Sequence, residues 1–221
     1  MIYKHSAEST EREQIRLEHE AEYEWVAFVP QRERDAGALT KYFGKIAGED
    51  EFKIRGIESR QRSTPTFIEE FQRECLRTFD DTRSPEGVIG VLRRALRKLD
   101  TEKVDEADLV ERNRVSKPLE EYTQHTQNVA ALERARDQGL TVHPGQDIEY
   151  VVVDDEKNSR DRVALAHETV EGYDPSYYET QLVRAAESIL SPVGWEREDI
   201  RRALAETQDY RLEVFDTTSK S

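Results

Sequence analysis

Between Ile15 and Tyr23 apolar or ring-bearing residues alternate with charged ones as Ile15, Leu17, His19, Ala21 and Tyr23, and the apolar run Trp25–Val29 follows, stopping at Pro30. A period of two belongs to a strand buried on one face, so this stretch predicts a strand pair. Gln31–Gly37 is expected to turn, Ala38–Ile46 to form a third strand, Ala47–Asp50 to turn again, and Glu51–Ile57 to form a fourth. The N-terminal part therefore reads as a small antiparallel sheet.

The period changes at Thr64-Pro65. Phe67, Phe71, Cys75 and Phe79 recur at steps of four beside Ile68 and Leu76, a helical stripe opened by a proline in its first turn. Ser84-Pro85 offers the N-cap and first position of a second helix, whose buried face is Val88, Ile89, Val91, Leu92, Ala95, Leu96 and Leu99. Asp105–Arg112 is short and charged, and Thr126–Gln138 predicts another helix with Val129 and Leu132 inward, ended by Gly139. Strands return at Asp147–Val153, which turns through Asp154–Asp161 and pairs back as Arg162–Ala166 in a hairpin. Tyr177–Leu190 and Arg197–Thr207 are expected to be the last helices. The fold class is α+β.

Composition then raises an objection to one function and weakens it again. The 47 acidic and 33 basic residues leave a net charge of -14, which argues against nucleic-acid binding because phosphates need a positive face. Only nine of the 33 basic residues are Lys, leaving 24 Arg. Acid excess with scarce Lys suits a salt-rich cytoplasm, where the Debye length shrinks to about 3 Å at 1 M and net charge says little about partners. An ordinary acidic protein is the alternative. Cys75 is the sole cysteine, so neither an internal disulfide nor a thiol metal cluster is expected. No apolar run approaches the roughly 18 residues of a membrane span, and residues 1–20 are too charged for a signal peptide. The expected location is cytoplasmic, away from membranes.

Two blocks carry a resemblance. Ala38-Leu39-Thr40-Lys41-Tyr42-Phe43-Gly44-Lys45 stands just upstream of Lys53-Ile54-Arg55-Gly56-Ile57-Glu58-Ser59-Arg60-Gln61-Arg62-Ser63-Thr64-Pro65. In order and spacing they resemble the last two palm blocks of archaeal family B DNA polymerases. Further on, Pro118–Tyr122, Val129–Leu132, Gly139–Val152 and Tyr173–Tyr178 look like that family's thumb. The resemblance implies that residues 1–63 are the C-terminal part of a palm, 64–212 a mainly helical thumb containing a β-hairpin, and 213–221 a disordered tail. It also implies what is missing. The family's Asp-x-x-Ser-Leu-Tyr-Pro and Asp-Thr-Asp metal blocks and its Lys-x-x-x-Asn-Ser-x-Tyr-Gly nucleotide helix do not occur in the chain. Asp154-Asp155 is expected to be a solvated hairpin tip rather than a metal pair.

By resemblance, Lys41 and Tyr42 lie along the minor groove of the primer end, where a cation and a phenol can check acceptors common to all correct pairs. They read equally as an edge-strand lysine beside a half-buried tyrosine. Lys53, Arg55, Arg60 and Arg62 against Glu58 give the segment around Gly56 a local charge of +3, where a phosphate backbone would sit, or else a solvated basic strand. Gly56 permits close backbone approach or relieves a bulge. Glu58 matches a glutamate near the family's metal site; its other reading is an ion pair to Arg60 or Arg62. Lys117, Tyr122, Thr126 and Asn128 either meet duplex phosphates or serve as caps and core. Arg93, Arg94, Arg97 and Lys98 make a basic helix face, solvated by default.

The leading expectation is a subunit of a split polymerase. An N-terminal partner chain would supply exonuclease, fingers and the aspartates that hold Mg2+, while this chain completes the palm and grips primer–template DNA. A start at Met1 followed by a hairpin is what a viable subunit is expected to have. The alternative is a non-catalytic DNA-binding or regulatory remnant of a disrupted polymerase gene.

Overall fold

The computed structural model describes residues 21–31, 34–101, 103–158 and 160–206. Its elements are β1 (Tyr23–Gln31), β2 (Arg34–Ile46), β3 (Phe52–Arg55), α1 (Thr66–Thr82), α2 (Pro85–Asp100), β4 (Glu111–Arg114), α3 (Gln127–Asp137), β5 (Asp147–Val152), β6 (Val163–Leu165) and α4 (Pro175–Leu190), with a helix α5 over 197–206. Two three-stranded antiparallel sheets, β1–β2–β3 and β4–β5–β6, and five helices make the α+β fold.

Alternation in β1 sets the first sheet. Glu24, Val26, Phe28 and Pro30 are exposed while Trp25, Ala27 and Val29 turn inward. The Trp25 ring lies about 6 Å from Phe43, Phe52 and Phe79, edge-on to the first and last and tilted to Phe52, joining three elements. Its indole N–H donates to Asp80 at 2.8 Å, and Lys45 donates to the same carboxylate at 2.8 Å. Burial alone would push the Asp80 carboxyl up; the hydrogen bonds from Lys45 and Trp25, with the charges of Lys45 and Arg83, hold it below its ordinary range instead. The sheet is thereby fastened to the end of α1.

Two expectations about this sheet change. The turn at Gln31–Gly37 is much tighter, because β2 begins at Arg34 and pairs Gln31 with Arg34 and Pro30 with Gly37 through irregular register. The alternating strand from Ile15 lies, up to residue 20, outside the described residues, as does the tail 213–221.

The helices follow their stripes. Ile68, Phe71, Cys75, Leu76 and Phe79 are buried on α1, which ends where Arg83 takes a left-handed φ of 51° and its N–H reaches Phe79 O at 2.8 Å. Pro65 sits at the N-cap of α1 rather than inside its first turn. Ser84 occupies the N-cap of α2, yet its hydroxyl donates to Glu86 and caps no backbone N–H. Thr126 and Asp174 do cap, accepting from Val129 N at 3.4 Å and Tyr177 N at 3.1 Å. Helices α1, α2 and α4 pack on one another, and one buried cluster runs from Phe43 and Ile54 through Leu76 and Leu92 to Ile189. Burying each such side chain is worth about 1.5–3 kcal/mol.

The expected hairpin is present as β5–β6 and gains a third strand. Glu111–Arg114 pairs with Asp147–Tyr150, so the charged segment after Asp105 becomes a short 3-10 turn, Glu106–Leu109, followed by β4.

Candidate nucleic-acid interface

The junction between the first sheet and α1 is built around one glycine. Gly56 has φ +72°, and a Cβ there would strike the Thr40 carbonyl oxygen. The same position lies 3.0 Å from Lys41 Cγ, so the stem of Lys41 is laid over Gly56 while the side chain stays exposed. Close approach of β2 to the turn after β3 is what the glycine permits. Across the sheet, Tyr42 pairs with Arg55 on one side and Phe28 on the other, and residues directly opposite share a face. The Phe28 and Tyr42 rings stand 5.6 Å apart. Phe28 is 44% exposed and Val26 41%, so the outer face of this sheet is apolar and open, flanked by exposed Arg55 and half-buried Lys53. The sequence reading placed Phe28 in the apolar run Trp25–Val29, which contains no polar residue to mark which of its members face outward.

After Ile57 the chain makes a 3-10 turn, Glu58–Arg60, which separates the expected basic strip. Arg55 and Arg60 are exposed and make no ion pair among the described residues. Arg62 is exposed too, but it ion-pairs with Asp147 at the start of β5. Glu58 meets neither Arg60 nor Arg62. It is 7% exposed, with Arg184 Nε 3.4 Å from one carboxylate oxygen and Gln72 Nε2 donating to the other at 2.9 Å. The fully buried Gln72 also accepts from Ser59 N at 2.7 Å and donates to Ala185 O at 3.0 Å. One amide of α1 thus holds the turn against α4 and orients the Glu58 carboxylate, each of whose oxygens has one of these partners.

Glu58 lines a cleft of about 840 Å³ with Glu111, Asp154, Asp155, Asp174 and Arg184. Asp155 is not the solvated tip expected. It accepts from Gln127 at 2.7 Å and Arg162 at 2.6 Å, and its N–H donates to Asp174 at 2.8 Å, because α3 and α4 both begin against this loop. Asp154 pairs with Lys157 at 3.1 Å. Glu111 is buried among neutral donors: Tyr177 at 2.6 Å, Gln181 at 2.7 Å and Tyr150 at 3.3 Å. Burial, then the adjacent Glu111 charge, pushes both phenols well above their ordinary range. Among the described residues no group of three or more His, Cys, Asp or Glu is placed to hold a metal ion.

In the helical part, the Lys117 ammonium lies 4.9 Å from the Tyr122 ring centroid. Burial would raise the Tyr122 hydroxyl, but hydrogen bonds from Ser116 and the backbone of Lys117, with the Lys117 charge, bring it below its usual value. Thr126 is a helix cap, and Asn128 is half-buried. The basic face of α2 is not wholly solvated: Arg93 donates to Ala203 O at 2.6 Å and Arg94 to Glu74 at 2.6 Å, while Arg97 and Lys98 are exposed.

The relatives of this α+β chain, with its cationic, glycine-centred corner beside an open aromatic face, identify it as a DNA polymerase-related domain. Residues 4–193 match the family model of DNA polymerase family B, and the chain belongs to that family. The DNA polymerase of Thermococcus litoralis is 30% identical over 165 residues, 73% of this chain and 10% of that protein. That of Thermococcus gorgonarius is 27% identical over 191 residues, 85% of this chain and 24% of that protein. The family B DNA polymerase of the hyperthermophilic archaeon Pyrobaculum calidifontis has the same fold at a TM-score of 0.62, with 22% identity over 81% of this chain and 23% of that one. The chain therefore spans between a tenth and a quarter of these relatives' length. No helix among the described residues is long and apolar enough to cross a membrane.

Proposed function

We propose that this chain is the palm-end and thumb portion of a split family B DNA polymerase. Residues 1–63 complete the palm sheet, and 64–212 form the thumb that grips primer–template duplex. A partner chain supplies exonuclease, fingers and the metal aspartates. The observation that carries the reading is the corner at Gly56, where Lys41, Arg55 and Arg60 stay exposed around a turn packed closely against β2. Arginines so placed can meet a phosphate, and arginine keeps its forked hydrogen bonds even where salt screens bulk attraction. Tyr42, braced by Phe28, presents its phenol on the open face.

The metal chemistry belongs to the partner in this reading. Bound Mg2+ would stabilise charge developing on the transferred phosphate, while among the described residues no cluster of three or more His, Cys, Asp or Glu is placed to hold it, and Glu58 is held by Gln72 and Arg184. That same engagement is what favours the second reading, a non-catalytic DNA-binding module.

The test combines this chain with a partner carrying the aspartate blocks in molar KCl and follows primer extension. Extension only in the mixture, lost with Lys41→Ala or Arg55→Ala, is expected. A partner that extends equally well alone overturns the split assignment. Duplex binding with no extension in any mixture selects the non-catalytic module.

A further inference from the structure

We propose that Asp147 is an internal competitor for Arg62: in the free chain it holds an arginine that bound duplex takes over, and Arg114 then accepts Asp147 in exchange. This rests on the DNA-binding reading above and concerns how that surface is regulated. Arg62 belongs to the basic strip around Gly56, where Arg55 and Arg60 make no ion pair among the described residues and Arg62 does. Its partner comes from the start of β5, 85 positions on.

The pairing of β4 with β5 shows what Asp147 has left. Arg112 stands opposite Glu149 and Arg114 opposite Asp147, two positions apart and so on one face of the sheet. Arg112 and Glu149 are ion-paired. Arg114 and Asp147 are not, because Asp147 is turned to Arg62, and Arg114 is exposed with no ion pair among the described residues. Directly opposite residues have Cβ atoms about 4.5–5.5 Å apart, so Arg114 can take Asp147 without a shift of backbone. Its guanidinium already lies beside the turn into β5, since a Cβ on Gly145 would stand 3.7 Å from Arg114 Nη2. Asp147 is half-buried, and a half-buried carboxylate stripped of its cation is costly. Arg114 removes that cost.

The Arg62–Asp147 pair is also one that an outside anion can open. The Arg62 side chain is 57% exposed and gives Asp147 a single N–H contact. Arg134, by contrast, holds Glu168 through both Nε and Nη2 and is 27% exposed. A solvated single-contact pair contributes little and is screened by salt, whereas a phosphate takes the arginine fork with two N–H groups.

Fluorescence anisotropy of a labelled primer–template duplex, read across a KCl series with the full chain, tests the exchange. Asp147→Asn is expected to tighten binding at low KCl by up to about fivefold, the strength of an exposed ion pair. The gain should fade in molar KCl as the pair is screened. Arg62→Gln should weaken binding, and Asp147→Asn should bring no gain in the Arg62→Gln chain. Arg114→Gln should weaken binding while Asp147 is present and leave it unchanged in the Asp147→Asn chain. Glu74→Gln is the matched control, since it removes an exposed carboxylate paired with Arg94, and it should bring no such gain. A gain from Asp147→Asn that survives in Arg62→Gln, or that Glu74→Gln equals, is a general loss of negative charge and overturns the proposal. A loss from Arg114→Gln that persists without Asp147 makes Arg114 a direct contact and overturns the exchange. If Lys41→Ala weakens binding while Asp147→Asn changes nothing, the competition falls and the DNA reading stands. No duplex binding by the unaltered chain or by Asp147→Asn overturns both.

Discussion

The cleft under Glu58 and the corner at Gly56 are adjacent along the chain and opposite in design. In the cleft, Glu58, Glu111, Asp155 and Asp174 all spend their oxygens on internal donors, several of them from elements far away in sequence. At the corner, Arg55 and Arg60 have none among the described residues, although carboxylates are the commonest charged groups in the protein. Buried polar groups left without partners cost about 1–3 kcal/mol each, whereas exposed unpaired cations cost little. The cleft is therefore a fastening, whereas the corner leaves its cations to solvent, as the proposed duplex contact requires.

That contrast makes the cleft sensitive to folding assays and the corner sensitive to binding assays. Gln72→Leu, which strands Ser59 N, Ala185 O and one oxygen of Glu58, should have the largest effect, lowering unfolding free energy in urea by about 3 kcal/mol. A loss under 1 kcal/mol would mean that the turn is held elsewhere. Tyr177→Phe takes one donor from Glu111 and should cost about 1–2 kcal/mol in the same assay.

Acid should act on the internally paired carboxylates too. Arg134 donates to Glu168 at 2.6 Å and holds its carboxyl below the ordinary value of 4.5 against the opposing effect of burial. A depressed folded-state pKa stabilises fully above the unfolded value and is lost as pH falls through the folded one. Thermal melts should thus fall away below about pH 4.5, and Glu168→Gln should flatten that acid limb. Arg55→Gln should change stability by less than about 0.5 kcal/mol while weakening duplex binding. Equal losses in both would erase the distinction between the two regions. Smallest of all is Ser84→Ala: because its hydroxyl caps no backbone N–H, it should cost well under the ~1 kcal/mol expected of Thr126→Ala, whose hydroxyl does.

Local pattern made much of this molecule legible. The stripe of α1, the start of α2 at Ser84-Pro85, and the hairpin of Asp147–Val153 with Arg162–Ala166 all come from periods and turn residues close together in the chain. Strand β4 was not, because Glu-Arg-Asn-Arg carries no apolar alternation; it pairs through β5 and buries Glu111 under Tyr177, 66 positions away. Glu58 was expected to meet a nearby arginine and meets Arg184 from α4 instead. The basic strip was visible as a run of charge, but which of its members stay free depends on Asp147, which claims Arg62 and leaves Arg55 and Arg60 exposed. Residues gathered from distant elements leave no local trace.

Hydrogen exchange of the full chain with and without primer–template duplex tests the central claim most directly, because it reads both regions in one experiment. The account predicts added protection at 40–42 and 53–62 and none along 153–156 or 174–184. Protection confined to the cleft segments, with the Gly56 corner unchanged, would contradict it.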